Sequence, residues 1–451
     1  MTPPTAARQV SQTVAPDLKP IAGDQRKVGV LAYMAMWLGD GFNIGNITLG
    51  SSIVVAGVAT MNLLQTMVAA GIAIAIITLI FTLNDRFGYR TGAPYVIQLR
   101  LSFGVKGAKI ASLFRGIPAI VWFGFQSWTG ALALNQIGMT LFGLTDNHTF
   151  GCFMLLQLIQ VVMALWGFRS IKLVTGFIAA IVMVAMLGVF ILLVTQHQVA
   201  IQQRLVQPSG TWGLPFLGFI VAFLGNYTAI FESAADYSRE LKPNLSEHQR
   251  GLLYLIPIGL AYGMTIVTGA MLAVVTGIAS PVTAMAHLLN NGWMSVVISC
   301  FIVLGTITTN TVANIMPPTY MLTSLLKMPQ QLATTLIGIL SVATCPWILV
   351  QDSSAQGLAL FIHLYSIFLG PMTAIILIEY YLHRHQHVNM SDLYDDKQQP
   401  KFTWRAPLAL LIGAVSAALI VNLSWFIGFF VGGLVYWKLG TGRKLRSVES
   451  E

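Results

Sequence analysis

Apolar residues in this chain come in long runs broken by short polar stretches, too uniformly apolar for the one-sided faces of a soluble helical bundle. Crossing roughly 30 Å of hydrocarbon takes about 20 residues of helix, since lipid offers no partner to open backbone. Twelve runs approach or exceed that length: 28–57, 62–83, 111–143, 150–166, 172–195, 214–235, 252–280, 291–326, 331–350, 356–381, 406–422 and 424–439. The last two meet at the short stretch Asn422 to Ser424. The pattern predicts an all-α integral membrane protein with twelve transmembrane helices.

Two runs carry polar residues and glycine near their middles. The first reads WLGDGFNIGN from Trp37 to Asn46, and the sixth reads LGNYT from Leu224 to Thr228. Because the two are five spans apart, similar five-helix blocks at 28–195 and 214–381 would enter the membrane from opposite sides. Matching interruptions in two inverted halves point to a transporter's midplane site, where unwound backbone meets substrate and ion. Glycines that merely permit close helix packing are the competing explanation. It suffices for Gly50, Gly269 and Gly432, but less well for two places that combine Gly with Asn. Around these halves lie a tail at 1–27, a connection at 382–405, helices 11 and 12 within 406–439, and a tail at 440–451.

The third span contains VWFGFQSWTGALAL, in which Trp122 and Gln126 stand four residues apart and share a helix face. An indole plate beside a carboxamide suits a flat heterocycle, since the ring stacks and the amide both donates and accepts in its plane. The eighth span contains GTITTNTVANIMPP. There Gly305, Thr308 and Thr309 form one narrow stripe, a plausible half of a sodium site built from hydroxyl and carbonyl oxygens. Asn310 and Asn314 form a second stripe, with Asn314 placed to pair with a heterocycle's edge. Intramembrane threonines also commonly bond back to the preceding turn. Asp40 has two readings: a proton carrier, or a carboxylate satisfied by amides exposed where the helix breaks. Asp236 and Arg239 in DYSRE read as an anchor or gate pair.

Composition and charge agree with a membrane chain. Of all residues 55% are hydrophobic and 9% charged. The net charge of +9 would suit nucleic acid only if clustered on a soluble domain, and the pattern offers none. Instead 24 of 25 Lys and Arg residues fall on the tails and the even-numbered connections or their span edges, leaving Arg204 alone on the other side. The positive-inside rule then places both termini in the cytoplasm, with 1–27 a tail that lacks a signal peptide's apolar core. Cys152, Cys300 and Cys345 have no paired spacing and read as packing residues. No nucleotide-binding, dinucleotide or metal-hydrolase motif is present, so no enzyme and no cofactor is expected, and the energy source would be an ion gradient.

Taken in order, WLGDGFNIGN, GAPYVIQLRLSFGVKGA, RGIPAIVWFGFQSWTGALAL, DYSR, TITTNTVANIMPP, CPW, GPM and MSDLY give the chain its family likeness, and together they are specific. It resembles the nucleobase–cation symporter family of the first type, which includes permeases for cytosine, uracil, allantoin and hydantoins. The resemblance implies a 5+5 inverted-repeat sodium-symporter (LeuT-like) fold plus two C-terminal helices, with substrate held between helices 1, 3, 6 and 8. Position by position it implies Trp122 as stacking plate, Gln126 as its polar neighbour, Asn43 on broken helix 1 and Asn314 on the substrate's edge. On helix 6, where relatives often carry a second tryptophan, it makes Tyr227 the second wall, with Gly225 or Asn226 offering backbone. A sodium ion would be held by the carbonyls of Gly39, Phe42 and Gly305 and the hydroxyls of Thr308 and Thr309, although some relatives run on protons. Gly45 stands where relatives usually have proline. The expected protein is a monomeric symporter of the bacterial inner membrane that imports a nucleobase, allantoin or hydantoin with sodium. Its partners are the small-molecule heterocycle and the lipid bilayer, with no nucleic acid. An amino-acid or amine symporter of the same architecture is the alternative.

Overall fold

The computed structural model describes residues 18–440, apart from 56, 146–147, 167, 209, 211, 290–291 and 350–354. Most of the predicted tail at 1–27 and nearly all of that at 440–451 therefore lie outside the described residues.

The first predicted span is two helices, α1 (Val30–Gly41) and α2 (Ile44–Ser51), followed by a two-stranded hairpin of β1 (Val54–Val55) and β2 (Val58–Ala59). Next come α3 (Leu63–Thr91), the short α4 (Tyr95–Gln98) and α5 (Arg100–Phe142). Then follow α6 (Thr149–Leu165), α7 (Phe168–Gln196) and α8 (Gln198–Val206). The sixth predicted span is α9 (Leu214–Glu232) and α10 (Ala234–Ser238), and α11 (Glu247–Thr276) and α12 (Pro281–Leu289) come after it. The eighth is α13 (Gly292–Asn310), a π-helical turn at Thr311–Ile315, and α14 (Met316–Leu326). Finally come α15 (Gln330–Ala343), α16 (Pro346–Leu349), α17 (Ala355–Ile378) with its π-turn Glu379–His383, α18 (Met390–Tyr394), α19 (Arg405–Ala418) and α20 (Ser424–Gly440). Among the described residues, seven helices are individually long and apolar enough to cross a membrane, and the pair 180–196 with 198–206, bent by 88°, passes the same test only when taken together.

Helix ends follow local chemistry. A capping box of Asn62 and Gln65 opens α3, and one of Ser246 and Gln249 opens α11. Each of these helices stops at a glycine in the left-handed region, Gly92 and Gly277. The same start and stop devices mark two helices that pack on each other, while α1 and α2 pack on α11 and α9 packs on α3. Where α2 crosses α11 the backbones touch. A Cβ at Gly50 would strike the Ile266 carbonyl, and one at Gly269 the Ile47 carbonyl, so glycine at both places is required by proximity.

One expected feature is absent. The stretch LGNYT is not an interruption, because α9 runs as regular helix through it to Glu232 and the break falls at Ser233. Gly225 is explained by packing: its open face meets Ile362 and Ser366 of α17.

Candidate functional site

The break between α1 and α2 has a capping mechanism. Asn43 leaves the helix in extended geometry, its Oδ1 accepts the Asn46 N–H at 3.0 Å, and its amide donates to the Asp40 carbonyl at 2.5 Å. The Asn46 amide donates to the Gly41 carbonyl at 2.9 Å, and the Thr265 hydroxyl of α11 stands 3.0 Å from the same oxygen. The carbonyls of Asp40 and Gly41 are thus satisfied by side chains. Those of Gly39 and Phe42 have no hydrogen-bond partner among the described residues.

Those two carbonyls are the ones the family resemblance assigns to sodium. The Phe42 oxygen lies over Gly305 of α13, 3.9 Å from where a Cβ would stand. Thr308 and Thr309 do bond back to their own helix, to Leu304 at 3.0 Å and to Gly305 at 2.9 Å. That spends the hydroxyl protons and leaves oxygen lone pairs, which is the donor set a hard cation takes. These oxygens have the chemistry of a hard-cation donor set.

Beside the break is a small buried cavity lined by Asp40, Asn43, Asn46, Trp122, Gln126, Asn226, Tyr227 and Asn314, with Ala229, Ile230 and Ala313. Its volume is about 20 Å³, room for one water and not for a ring. A second cavity of the same size adjoins it, sharing Asp40, Ile230 and Ala313 and reaching Trp37, Tyr237 and Thr309. Trp122 and Gln126 reach the site together because α5 is regular helix there. The Trp122 indole N–H points to the Tyr365 hydroxyl at 3.4 Å, and that hydroxyl donates to the Gly225 carbonyl at 2.9 Å. Gly45 belongs to this contact as well, since a Cβ there would press within 3.1 Å of the Trp122 ring. Asn314 lies on the π-helical turn and donates to Asn310 at 2.8 Å. Asn310 is fixed in turn by the Phe123 carbonyl, Ser127 and Gln160 at 3.0, 3.1 and 2.9 Å.

Helix 6 contributes differently from expectation. Gly225 does not line the cavity, because its carbonyl is taken by Tyr365 and its open face by α17. Asn226 does line it, through its side chain, which donates to Asn46 Oδ1 at 2.8 Å and to Tyr262 at 3.2 Å. Tyr227 lines the same cavity as Trp122, its ring packing on Tyr262 with centroids 4.7 Å apart and on Phe81 at 6.3 Å. Its hydroxyl lies against the Asp40 carboxylate instead. Asp40 itself takes no amide from the break: its Oδ2 is buried without a partner, so the reading of a carboxylate satisfied by exposed amides is withdrawn. Beyond the second cavity, Arg115 donates to the Ser233 hydroxyl at 3.2 Å and the Ala313 carbonyl at 3.3 Å, tying the helix 6 break to the π-turn. Asp236 anchors the Tyr95 N–H at 2.7 Å.

Asn46 and Tyr365 went unassigned by the sequence reading. Asn46 had a signal, its i, i+3 spacing from Asn43. Tyr365 had none, because its contact with Trp122 spans 243 positions of chain.

A family profile described as permease for cytosine/purines, uracil, thiamine and allantoin matches residues 20–440. The chain belongs to this permease family. The permease is 26% identical to the hydantoin permease of Microbacterium maritypicum over 449 residues, 96% of this chain and 88% of the relative. It is 24% identical to a putative allantoin permease of Escherichia coli K12, covering 93% of both chains. In structure the permease is similar to Mhp1, a nucleobase-cation-symport-1 family transporter solved closed with bromovinylhydantoin bound, with TM-score 0.84, 22% identity and 94% of each chain covered. A Na+-coupled sialic acid symporter shares the fold more distantly, with TM-score 0.68 and 12% identity over 97% of this chain and 94% of that one. The permease is a membrane transporter of cation-symporter fold and not an enzyme.

Proposed function

We propose that this permease is a secondary active symporter that imports a planar nitrogen heterocycle together with sodium, by alternating access of two inverted five-helix halves, 28–195 and 214–381. One observation carries the reading: at a single helix break two carbonyls lack a partner and one of them, that of Phe42, lies over Gly305, while Asn43 borders the Trp122 and Gln126 cavity.

Trp122 is the stacking plate, Gln126 and Asn314 read the ring's edge, and Asn43 and Asn226 complete the polar wall. Gly39, Phe42, Gly305, Thr308 and Thr309 hold the ion. Coupling is then mutual. The ion ties α1 to α13, substrate ties the same break to α5, and by linkage each raises the other's affinity by one factor. The cavity's small volume is that of a closed conformation, so ring entry requires the helices to separate.

Uptake of labelled uracil, cytosine, allantoin and hydantoin into proteoliposomes, under imposed sodium or proton gradients, tests this. Sodium-driven uptake of at least one is expected, and Thr309→Ala should blunt the sodium response. Uptake of none, or uptake indifferent to sodium, overturns it.

A further inference from the structure

Three of the membrane-length helices have an end at one pocket that shares no residue with the cavities at the helix 1 break. The apolar spans Gly357–His383 and Val421–Gly440 stop there, and Arg100–Phe142 starts there with Ser102 on the wall. Its volume is about 270 Å³, against about 20 Å³ at the helix 1 break. A pocket at the common end of several spans sits at the level of the lipid headgroups. Its wall includes Phe402 and Trp404, 54% and 58% exposed, aromatic side chains of the kind that settle at a membrane–water boundary.

The charges on this wall do not cancel. Glu379 is the acid of the lining, and both its oxygens are engaged: Arg384 donates to Oε1 at 2.7 Å, while His383 Nδ1 and the Tyr436 hydroxyl meet Oε2 at 3.1 and 2.8 Å. Arg384 balances its charge. The other edge of the His383 ring is uncommitted, although the side chain is only 9% exposed. Its Nε2 is buried with no hydrogen-bond partner and lies against Gly440, where a Cβ would strike it. Arg405 forms no ion pair or hydrogen bond among the described residues. It opens α19, which starts without a side-chain cap, so the positive end of that helix adds to the guanidinium. The charge left over for a ligand is positive.

We propose that this pocket binds the phosphate of an anionic membrane lipid, with Arg405, His383 Nε2 and the start of α19 as donors and Phe402 and Trp404 beside the lipid's glycerol. Basic pockets between membrane helices are where acidic headgroups seat, and the arginine fork matches phosphate oxygens. Held between the Glu379 carboxylate and the phosphate, His383 is an imidazolium, in which both ring nitrogens donate. A zwitterionic headgroup fits less well, because it brings a second cation beside Arg405 where the acid is already engaged. The bound lipid ties the ends of α5, α17, α19 and α20 together and so stabilises the folded chain by linkage. The proposal is independent of which cargo or ion the permease carries.

The test is equilibrium binding to the purified full chain in a neutral detergent, titrated with short-chain phosphatidylglycerol, short-chain phosphatidylcholine or inorganic phosphate. Phosphatidylglycerol should bind saturably, at least about tenfold tighter than phosphatidylcholine, and Arg405→Ala should weaken it at least about tenfold, the worth of one charge-assisted contact. Lys401→Gln, at an exposed lysine outside the lining, should change it by less than about twofold. Equal affinity for the two lipids overturns the proposal, as does a loss from Lys401→Gln as large as that from Arg405→Ala, the mark of diffuse surface charge. Inorganic phosphate binding as tightly as phosphatidylglycerol overturns the lipid as occupant. If Arg405→Ala does not fold, Arg405→Lys, which keeps the charge and loses the fork, takes its place, and an affinity for phosphatidylglycerol equal to wild type then overturns the assignment of Arg405.

Discussion

Helices 1 and 6 occupy corresponding places in the two proposed halves, yet they break in different ways. In helix 1 the break lies inside the site, at Phe42 and Asn43, and side-chain amides close two of its loose carbonyls while two stay open. In helix 6 the chain passes the site as unbroken helix and breaks only at Ser233, where Arg115 straps the gap to the π-turn of helix 8. One break is arranged to present backbone and the other to be held shut. Under the proposed repeat, the two corresponding elements would carry separate tasks, ligand contact for helix 1 and closure for helix 6.

The comparison can be broken by substitution. The largest effect is expected at the crossing that fixes the second half of helix 1. Gly50→Val drives a side chain into the Ile266 backbone, which cannot move aside, and should destabilise the protein by about 3 kcal/mol or more. Thermal unfolding of purified protein measures this, and a stability near wild type would show that the backbones do not touch there. Asn43→Ala removes the cap and the closer of the two amides on the Asp40 carbonyl, an expected loss of about 2 kcal/mol from two hydrogen bonds, together with weakened sodium-dependent substrate binding. Ser233→Ala should cost least, about 1 kcal/mol, since Arg115 keeps the Ala313 carbonyl. Substrate affinity should stay unchanged and the rate of opening rise. A Ser233→Ala protein that loses affinity while Asn43→Ala keeps it would reverse the assignment of tasks.

The helix 1 break was legible because its chemistry is local: two glycines lower the cost of leaving the helix, and an asparagine three residues before another supplies the cap. Trp122 with Gln126 and Thr308 with Thr309 were legible for a similar reason, since helical periodicity alone sets which face they share. The helix 6 break was not. Gly225 and Asn226 imitate the helix 1 signal, but the glycine admits α17 and the asparagine reaches Asn46, both contacts made across the bundle. Ser233 carries no strong stop signal, and the guanidinium that donates to its hydroxyl comes from Arg115, 118 positions away. The π-turn that carries Asn314 and the tyrosine that fixes Trp122 are tertiary facts of the same kind.

The reciprocal contact of Gly50 with Ile266 and Gly269 with Ile47 has a mechanical meaning. Side chains between helices act as compliant spacers, changing rotamer to absorb small shifts. Here main chain meets main chain, so the joint has no backlash. The lower half of helix 1 and the helix it crosses are geared together, and any displacement of one arrives undiminished at the other. In the proposed transport cycle the slack between the two parts of helix 1 falls at its break, Phe42 and Asn43.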